Sequence, residues 1–319
     1  MAASDDPAFE LSPPHEQARM TDPNETDEPT GERAGRPPMP RAGMAPTDAG
    51  SVELVEWLTL DPLGGDVFRG HNPPREGRVF GGSVLAHALG AAQMTVGASR
   101  GGSVPTAHAL HGHFVEGGLP GEPSEYRVER VRDGASFATR QVTATQDGRV
   151  IFVASVSFHA DEAGPDWQLD APADVPDPSE CELGRYASDV VEVRDVPFRL
   201  GTARPYARRM WFRTRRPLPD DPAMWQRVIV FASDHGSTRA VRTPHRGLPG
   251  LAQRQSVSLD HAIWFHRPAR PDEWMLTEVA PISTGNGRGL ATGTIHTRTG
   301  TLVATFTQEA LFRIPPDAT

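Results

Sequence analysis

The sequence predicts an α+β chain built as two similar units, each a helix followed by an antiparallel sheet. Three observations predict it. A helix pattern of the buried kind lies over Val79 to Gln93 and is entered through the glycine pair Gly81 and Gly82. Strand-like runs follow it, and the last two are joined by Asp147 and Gly148, a strong hairpin signal. The same order returns in the second half at an offset of about 150 residues, with Gly148 falling on Gly300 and Phe114 on Phe265. Two such units, each with one apolar sheet face, can bury a continuous core side by side.

Residues 1–50 are rich in Pro, Gly, Asp, Glu, Ser and Thr and poor in aliphatic side chains. They cannot bury enough to offset their ordering entropy, so a disordered tail is expected. Order is expected to begin with a short amphipathic helix over Val52 to Leu58, then a strand over Asp66 to Gly70. In the Gly-Gly helix, Val84, Leu85, Ala88, Leu89 and Ala92 form a wide stripe of small apolar residues, which predicts a helix buried on most sides. Its glycines permit close approach to a helix start, where N–H groups and positive dipole are available. Strands are expected over 106–115, 124–131, 137–145 and 150–158. This makes 51–160 the first unit. Residues 161–204 read as an acidic, proline-rich linker over the surface, or a lid. The second unit, 205–319, opens on a strand from Met210. Its helix over Met224 to Asp234 has Asp221 as N-cap and Pro222 in the first turn. Strands over 255–265, 273–279, 289–296 and 301–312 complete it.

Composition narrows the function class. The chain has 319 residues and a net charge of -9, which argues against a nucleic-acid partner. There is no lysine, so arginine carries all the permanent positive charge, a pattern of coding bias rather than chemistry. The lone Cys181 cannot form an internal disulfide, which points to a reducing compartment and a cytoplasmic location. No apolar run reaches the length of a membrane span, so no membrane insertion is expected. The acidic N-terminus lacks a signal core, and the C-terminus carries no recognisable address.

Taken singly, the polar residues of the strands and helix ends are ambiguous. Asp234 reads as an acid at a helix end, Ser258 as an ordinary strand serine, and Gln308 as a satisfied amide interrupting an apolar strand. Asp260 and His261 resemble an acid/base pair, but strand alternation puts them on opposite faces, which leaves Asp260 a structural role. Among His108, His111 and His113 only the last two share a face, and no acid or cysteine completes a ligand set, so no metal site is expected. The run Gly81 to Leu85 fails the Gly-x-Ser-x-Gly pattern at its last position, which argues against a serine nucleophile.

Four stretches, in order and at fitting distances, resemble the acyl-CoA thioesterase II family: Arg78 to Val84, Arg132 to Arg140, Ser258 to Pro268, and Val303 to Glu309. The resemblance runs from about Val52 to Arg313 and is least specific over 160–205. It implies a double hotdog fold, two units of a long helix wrapped by an antiparallel β-sheet, and hydrolysis of fatty acyl-CoA to free acid and CoA. It also implies a catalytic trio: an Asp ending the second helix, a Thr or Ser on the next strand, and a Gln on the last. Here these fall on Asp234, Ser258 and Gln308. The chemistry is coherent, because a carboxylate can take a proton from water while hydroxyl and amide groups hold both in place. The N–H groups of Gly81 and Gly82 are the expected substrate-binding donors for the thioester carbonyl. No metal or redox cofactor is implied.

The internal repeat adds a check. Its registers place Gln308 opposite Val156 and Ser258 opposite Ala107, which predicts one active site per chain, with the first half as its wall. One departure stands out: where the family carries Arg-Pro-Gly after the strand ending at Val115, this chain has Glu116, Gly117 and Gly118, which puts CoA contacts from the first half in doubt. The run from Arg208 to Arg216 could meet CoA phosphates or be a solvated basic patch. Open sheet edges suggest a homo-oligomer. Two other readings remain at this point: a non-hydrolytic acyl-CoA or acyl-carrier binding module, and a hotdog hydratase or dehydratase in which His235 would act.

Overall fold

The structure, a computed structural model, describes residues 53–98, 104–198, 206–251 and 254–314. The tail expected over 1–50 lies outside these residues. The first half contains α1 (Leu54–Trp57), β1 (Leu60–Gly64), β2 (Val67–Gly70), α2 (Gly81–Gln93), β3 (Thr106–Phe114), β4 (Ser124–Asp133), β5 (Phe137–Gln146) and β6 (Arg149–His159). The rest contains β7 (Glu182–Leu183), β8 (Val191–Asp195), β9 (Arg208–Thr214), α3 (Pro222–Ser233), α4 (Ser237–Arg242), β10 (Gln255–Ser258), β11 (Asp260–Phe265), β12 (Met275–Gly285), β13 (Arg288–Thr297) and β14 (Leu302–Arg313).

The strands form one antiparallel sheet in the order β1-β2-β4-β5-β6-β3-β11-β14-β13-β12-β9-β8-β7, with β10 also on β14. The halves join where β3 meets β11, Leu110 opposite Ile263. Reading outward from that seam, the hairpin β5–β6 and strand β4 answer β13–β14 and β12. The β5–β6 turn has both Asp147 (φ 48°) and Gly148 (φ 74°) in the left-handed region, the geometry a two-residue hairpin needs.

Pairing supports the repeat register in detail. Gly112 lies opposite Ala154 on β6, and Ile263 opposite Phe306 on β14. The β3–β6 ladder slips between Ala107 and Ala109, and the same slip divides β10 from β11 at Leu259. The expected continuous strand over 255–265 is therefore broken at Leu259. Beyond the slip Ala107 pairs with Phe158, and Ser258 pairs with Ala310.

Helix α2 is buried from Gly82 to Ala92, as its wide stripe of small residues requires, and packs on β3, β4, β5, β6 and α3. Helix α3 starts as expected: Asp221 accepts a hydrogen bond from Ala223 N (2.9 Å) and Pro222 opens the first turn. Such a cap is worth about 1 kcal/mol. The expectation of one long helix facing the second sheet needs correction. Helix α3 packs on α2, and it is α4, after a break at Gly236 (φ 95°), that lies on β12, β13 and β14. The break leaves Asp234 at a helix end, beside the start of α2. The connection over 161–204 is likewise more than linker: β7 and β8 extend the sheet from β9, because Val191 and Val193 find buried places there. Among the described residues, no helix is long and apolar enough to cross a membrane.

Candidate active site

Asp234 follows the last turn of α3 and keeps part of its surface exposed. Its Oδ1 accepts from Gln308 Nε2 at 3.0 Å, and its Oδ2 accepts from the Gly82 backbone N–H at 3.0 Å. The Ser258 hydroxyl lies near enough to help keep it ionised. Gln308 Nε2 spends its second proton on Ser258 Oγ, at 2.5 Å. The three residues singled out in the sequence therefore meet around one carboxylate.

Burial pushes the Asp234 pKa up to about 6, and the hydrogen bonds from Gln308 and Gly82, the charge of Arg75 and the Ser258 hydroxyl hold it from rising further. The result is a carboxylate ionised near neutrality yet basic enough to accept a proton, the range that suits a general base. Arg75, part-buried and set over the Phe80 ring at 5.9 Å, is the cation that this site feels. Sequence reasoning missed it, because it lies in a Pro/Gly-rich loop with no periodicity to place it.

Gln308 is itself positioned. Its Oε1 is 2.9 Å from His261 Nδ1, and His261 Nε2 is 2.9 Å from Ser233 Oγ. His261 is buried and its pKa is lowered to about 4 by desolvation, so it is neutral. With Asp234 ionised, the Gln308 amide must point its NH2 at Asp234 and Ser258. Its Oε1 then accepts from His261 Nδ1–H, and the unprotonated His261 Nε2 faces the Ser233 hydroxyl, which also meets Val230 O at 2.8 Å. The tautomer is thus inferred from the network. Asp260, on the opposite face, accepts from Glu309 N at 2.7 Å, the structural role expected of it. The signal for His261 was its alternation with Asp260; what was not visible was that β11 and β14 are neighbours.

The glycine pair divides its work. A Cβ on Gly82 would stand 2.4 Å from Phe231 O and 2.4 Å from the Phe80 ring, and one on Gly81 would stand 2.8 Å from Asp234 Oδ2. Both positions need glycine so that α2 can start against Asp234 and α3. The expectation that both N–H groups face substrate is corrected for Gly82: its donor is taken by the carboxylate. Gly81 lines a cavity of about 250 Å³ together with Ser258, Val257, Phe114, Gly117 and Gly118. The departure at Glu116, Gly117 and Gly118 thus borders the site. Gly117 leaves room for Arg78, whose Cδ would lie 2.6 Å from any Cβ there.

His235, the residue a hydratase would need, packs instead between Phe80 (4.7 Å), Tyr186 (5.1 Å) and Phe231 (5.8 Å). Its Nδ1 meets Ala232 O and burial lowers its pKa to about 4. The expected basic run also dissolves. Arg209 pairs with Glu278 at 2.6 Å, Arg213 with Glu192 at 2.9 Å and Arg216 with Glu53 at 2.5 Å, while Arg215 donates to Ser188 O. Arg208 and Arg215 lack a carboxylate of their own in that run, among the described residues.

Comparison with known proteins bears on this arrangement. A family model described as acyl-CoA thioesterase matches residues 183–311, and one described as acyl-CoA thioesterase N-terminal domain matches 70–159. Acyl-coenzyme A thioesterase 8 of Rattus norvegicus is 32% identical over 84% of this chain and 91% of its own length. This chain belongs to the acyl-CoA thioesterase II family. An acyl-CoA thioesterase II from Mycobacterium marinum is similar in structure, with a TM-score of 0.73 and 36% identity, covering 82% of this chain and 99% of that one. A hot dog fold protein from Alicyclobacillus acidocaldarius superposes with a TM-score of 0.65 at 20% identity, over 81% and 97% of the two chains. The fold is a hotdog fold. In this chain, helix α2 and the seam at β3 and β11 form the frame on which the polar cluster sits.

Proposed function

We propose that this chain is an acyl-CoA thioesterase in which Asp234, Ser258 and Gln308 direct water at the thioester carbonyl. The observation that carries the mechanism is the Asp234 carboxylate, held by Gln308, Ser258 and Gly82 N–H, with its pKa raised to about 6, beside the cavity that Ser258 and Gly81 line. Asp234 takes a proton from water as the water oxygen bonds to the acyl carbon. Collapse of the tetrahedral intermediate breaks the C–S bond, and the proton passes to the departing CoA sulfur, giving free acid and CoA. Gln308 and Ser258 fix the carboxylate and the water, and Gly81 at the start of α2 is the backbone donor nearest the reacting carbonyl. The neutral His261 keeps the Gln308 amide from flipping.

The same reading takes the chain as two hotdog units, residues 51–160 with α2 against its sheet and 205–319 with α4 against its sheet, with 161–204 between them. The matched slips at His108 and Leu259 support this. It also takes the chain as a cytoplasmic homo-oligomer, in keeping with its single cysteine and the open strand at each end of the sheet. Val156 and Ala107, where the second unit has Gln308 and Ser258, favour one site per chain.

Free-thiol release from acyl-CoAs of increasing chain length tests the reading, with wild type beside Asp234→Asn and Gln308→Ala. Release that both substitutions abolish in folded protein supports the mechanism. Tight acyl-CoA binding without thiol release at any length would replace it with a binding module.

A further inference from the structure

Many arginines of the described residues sit against a carboxylate: Arg130 on Asp66, Arg209 on Glu278, Arg194 and Arg213 on Glu192, Arg270 on Asp272. Among the described residues, a group gathered around α4 has one such contact for six arginines. Arg239 and Arg242 lie on α4 itself, Arg246 follows it, and Arg185, Arg208 and Arg254 approach from β7, β9 and β10. The acid among them is Asp195, with Oδ2 at 3.4 Å from Arg239 Nη1. Arg208 and Arg246 stack on the same Phe198 ring, at 4.7 and 4.5 Å. The Arg254 Nε is buried with no hydrogen-bond partner among the described residues.

A helix C-terminus welcomes one or two cations, which accounts for Arg239 and Arg242. It does not account for four more. Burial first, then the charges of Arg239 and Arg246, lower the Arg208 pKa to about 10, and Arg242 is lowered by burial, then by Arg254 and Arg185. Mutual repulsion of this kind persists where an anion relieves it. On a chain of net charge -9, a local positive field is also what draws a polyanion in.

The cluster packs against the helix end that carries Asp234. Tyr186, which feels Arg185, Arg239 and Arg242, has its ring 5.1 Å from His235, the neighbour of Asp234. Arg242 closes α4, a six-residue helix about 9 Å long that starts three residues beyond Asp234. The extended pantetheine arm of CoA is longer than that span. We propose that Arg185, Arg242, Arg246 and Arg254 bind the phosphates of the CoA portion of the substrate, with Arg208 and Arg239 behind them. Guanidinium forks match phosphate oxygens in pairs, and the Phe198 ring holds two of the six in place. This inference rests on the thioesterase reading above and names where that site holds the nucleotide.

The test compares two thioesters of one acyl chain, that of CoA and that of pantetheine, which has no phosphate. For wild type the KM for the CoA thioester is expected to be at least tenfold lower, with the advantage shrinking as salt is raised. In the Arg242→Gln/Arg246→Gln double variant the two KM values converge, while kcat on the pantetheine thioester reports that the fold is intact. A CoA preference that survives the double substitution overturns the inference and leaves the thioesterase reading standing. Should wild type hydrolyse neither thioester, the thioesterase reading fails. Calorimetric titration with free CoA then decides the inference alone: binding lost in the double variant supports it, and equal binding overturns it. A single variant, Arg254→Gln, is expected to weaken CoA binding severalfold in the same titration.

Discussion

The two sides of the seam between β3 and β11 are built alike and used differently. In the first half, Ala107 and Val156 occupy buried places at 2% and 0% exposure. In the second, the corresponding places hold Ser258 and Gln308, and Gln308 is equally buried. The backbone treats both halves the same way, down to a ladder slip at matched positions. What differs is the helix end each one faces. The second half brings a carboxylate to the seam at Asp234, and a buried amide there finds acceptors in Asp234 and Ser258 and a donor in His261. In the first half the corresponding helix start is Gly82, which offers an N–H and no acceptor side chain. A polar pair opposite it would be unsatisfied, so apolar residues are the stable choice there.

The comparison can be broken most severely at Asp234. Asp234→Asn removes the proton acceptor and is expected to lower kcat/KM by about 10²–10⁴-fold, as measured by thiol release, with the far-UV spectrum unchanged. The wild-type enzyme carries the matching signature in its pH profile. Because the raised pKa of about 6 belongs to a group that works ionised, log kcat/KM is expected to rise with pH and level off above an acid limb near 6. A flat profile from pH 5 to 8 would sink the assignment of Asp234 as base.

Gln308→Ala comes next. It unties Asp234 and leaves His261 Nδ1 without its acceptor, so we expect activity to fall by about 10²-fold and stability by about 1–3 kcal/mol in urea unfolding. Ser258→Ala removes one hydroxyl at the cavity wall, and a tenfold-scale loss with near-normal stability is expected. The smallest effect on rate, and the sharpest on the comparison, is the graft of the second half onto the first. Ala107→Ser/Val156→Gln is expected to add no measurable turnover. It is expected to cost about 1–3 kcal/mol of stability, since the new amide has no carboxylate to meet. A second burst of activity in the graft would show that the halves are interchangeable after all.

Much of the fold was legible because its signals are local. Most alternating runs became strands within a residue or two of their ends, although β12 runs on to Gly285, six residues past the expected 279; the Asp147–Gly148 turn formed, and Asp221 and Pro222 opened α3. The parts that were not legible are those set by distant neighbours. The strand over 255–265 reads as continuous, yet breaks at Leu259 because its partner β14 serves two registers, with Ser258 on Ala310 and Ala262 on Thr307. The 161–204 stretch reads as linker because its two short strands are scattered among prolines and acids, and only the free edge of β9 gives Val191 and Val193 a place. The basic run at 208–216 reads as one patch, yet strand alternation and scattered carboxylates disperse it.

By itself the sequence determined the repeat, the glycine start of the helix, and the stretches that resemble the family's motifs, because spacing and residue type are properties of the chain alone. Tertiary structure decided how those residues are spent. It gave the Gly82 donor to Asp234 rather than to substrate, recruited His261 to hold Gln308, and gathered arginines from α4, β9 and the ends of β7 and β10 into one field. Hydrogen bonds and charges act over a few ångströms. Which groups come within that range is fixed by the pairing of strands and the packing of helices far apart in sequence.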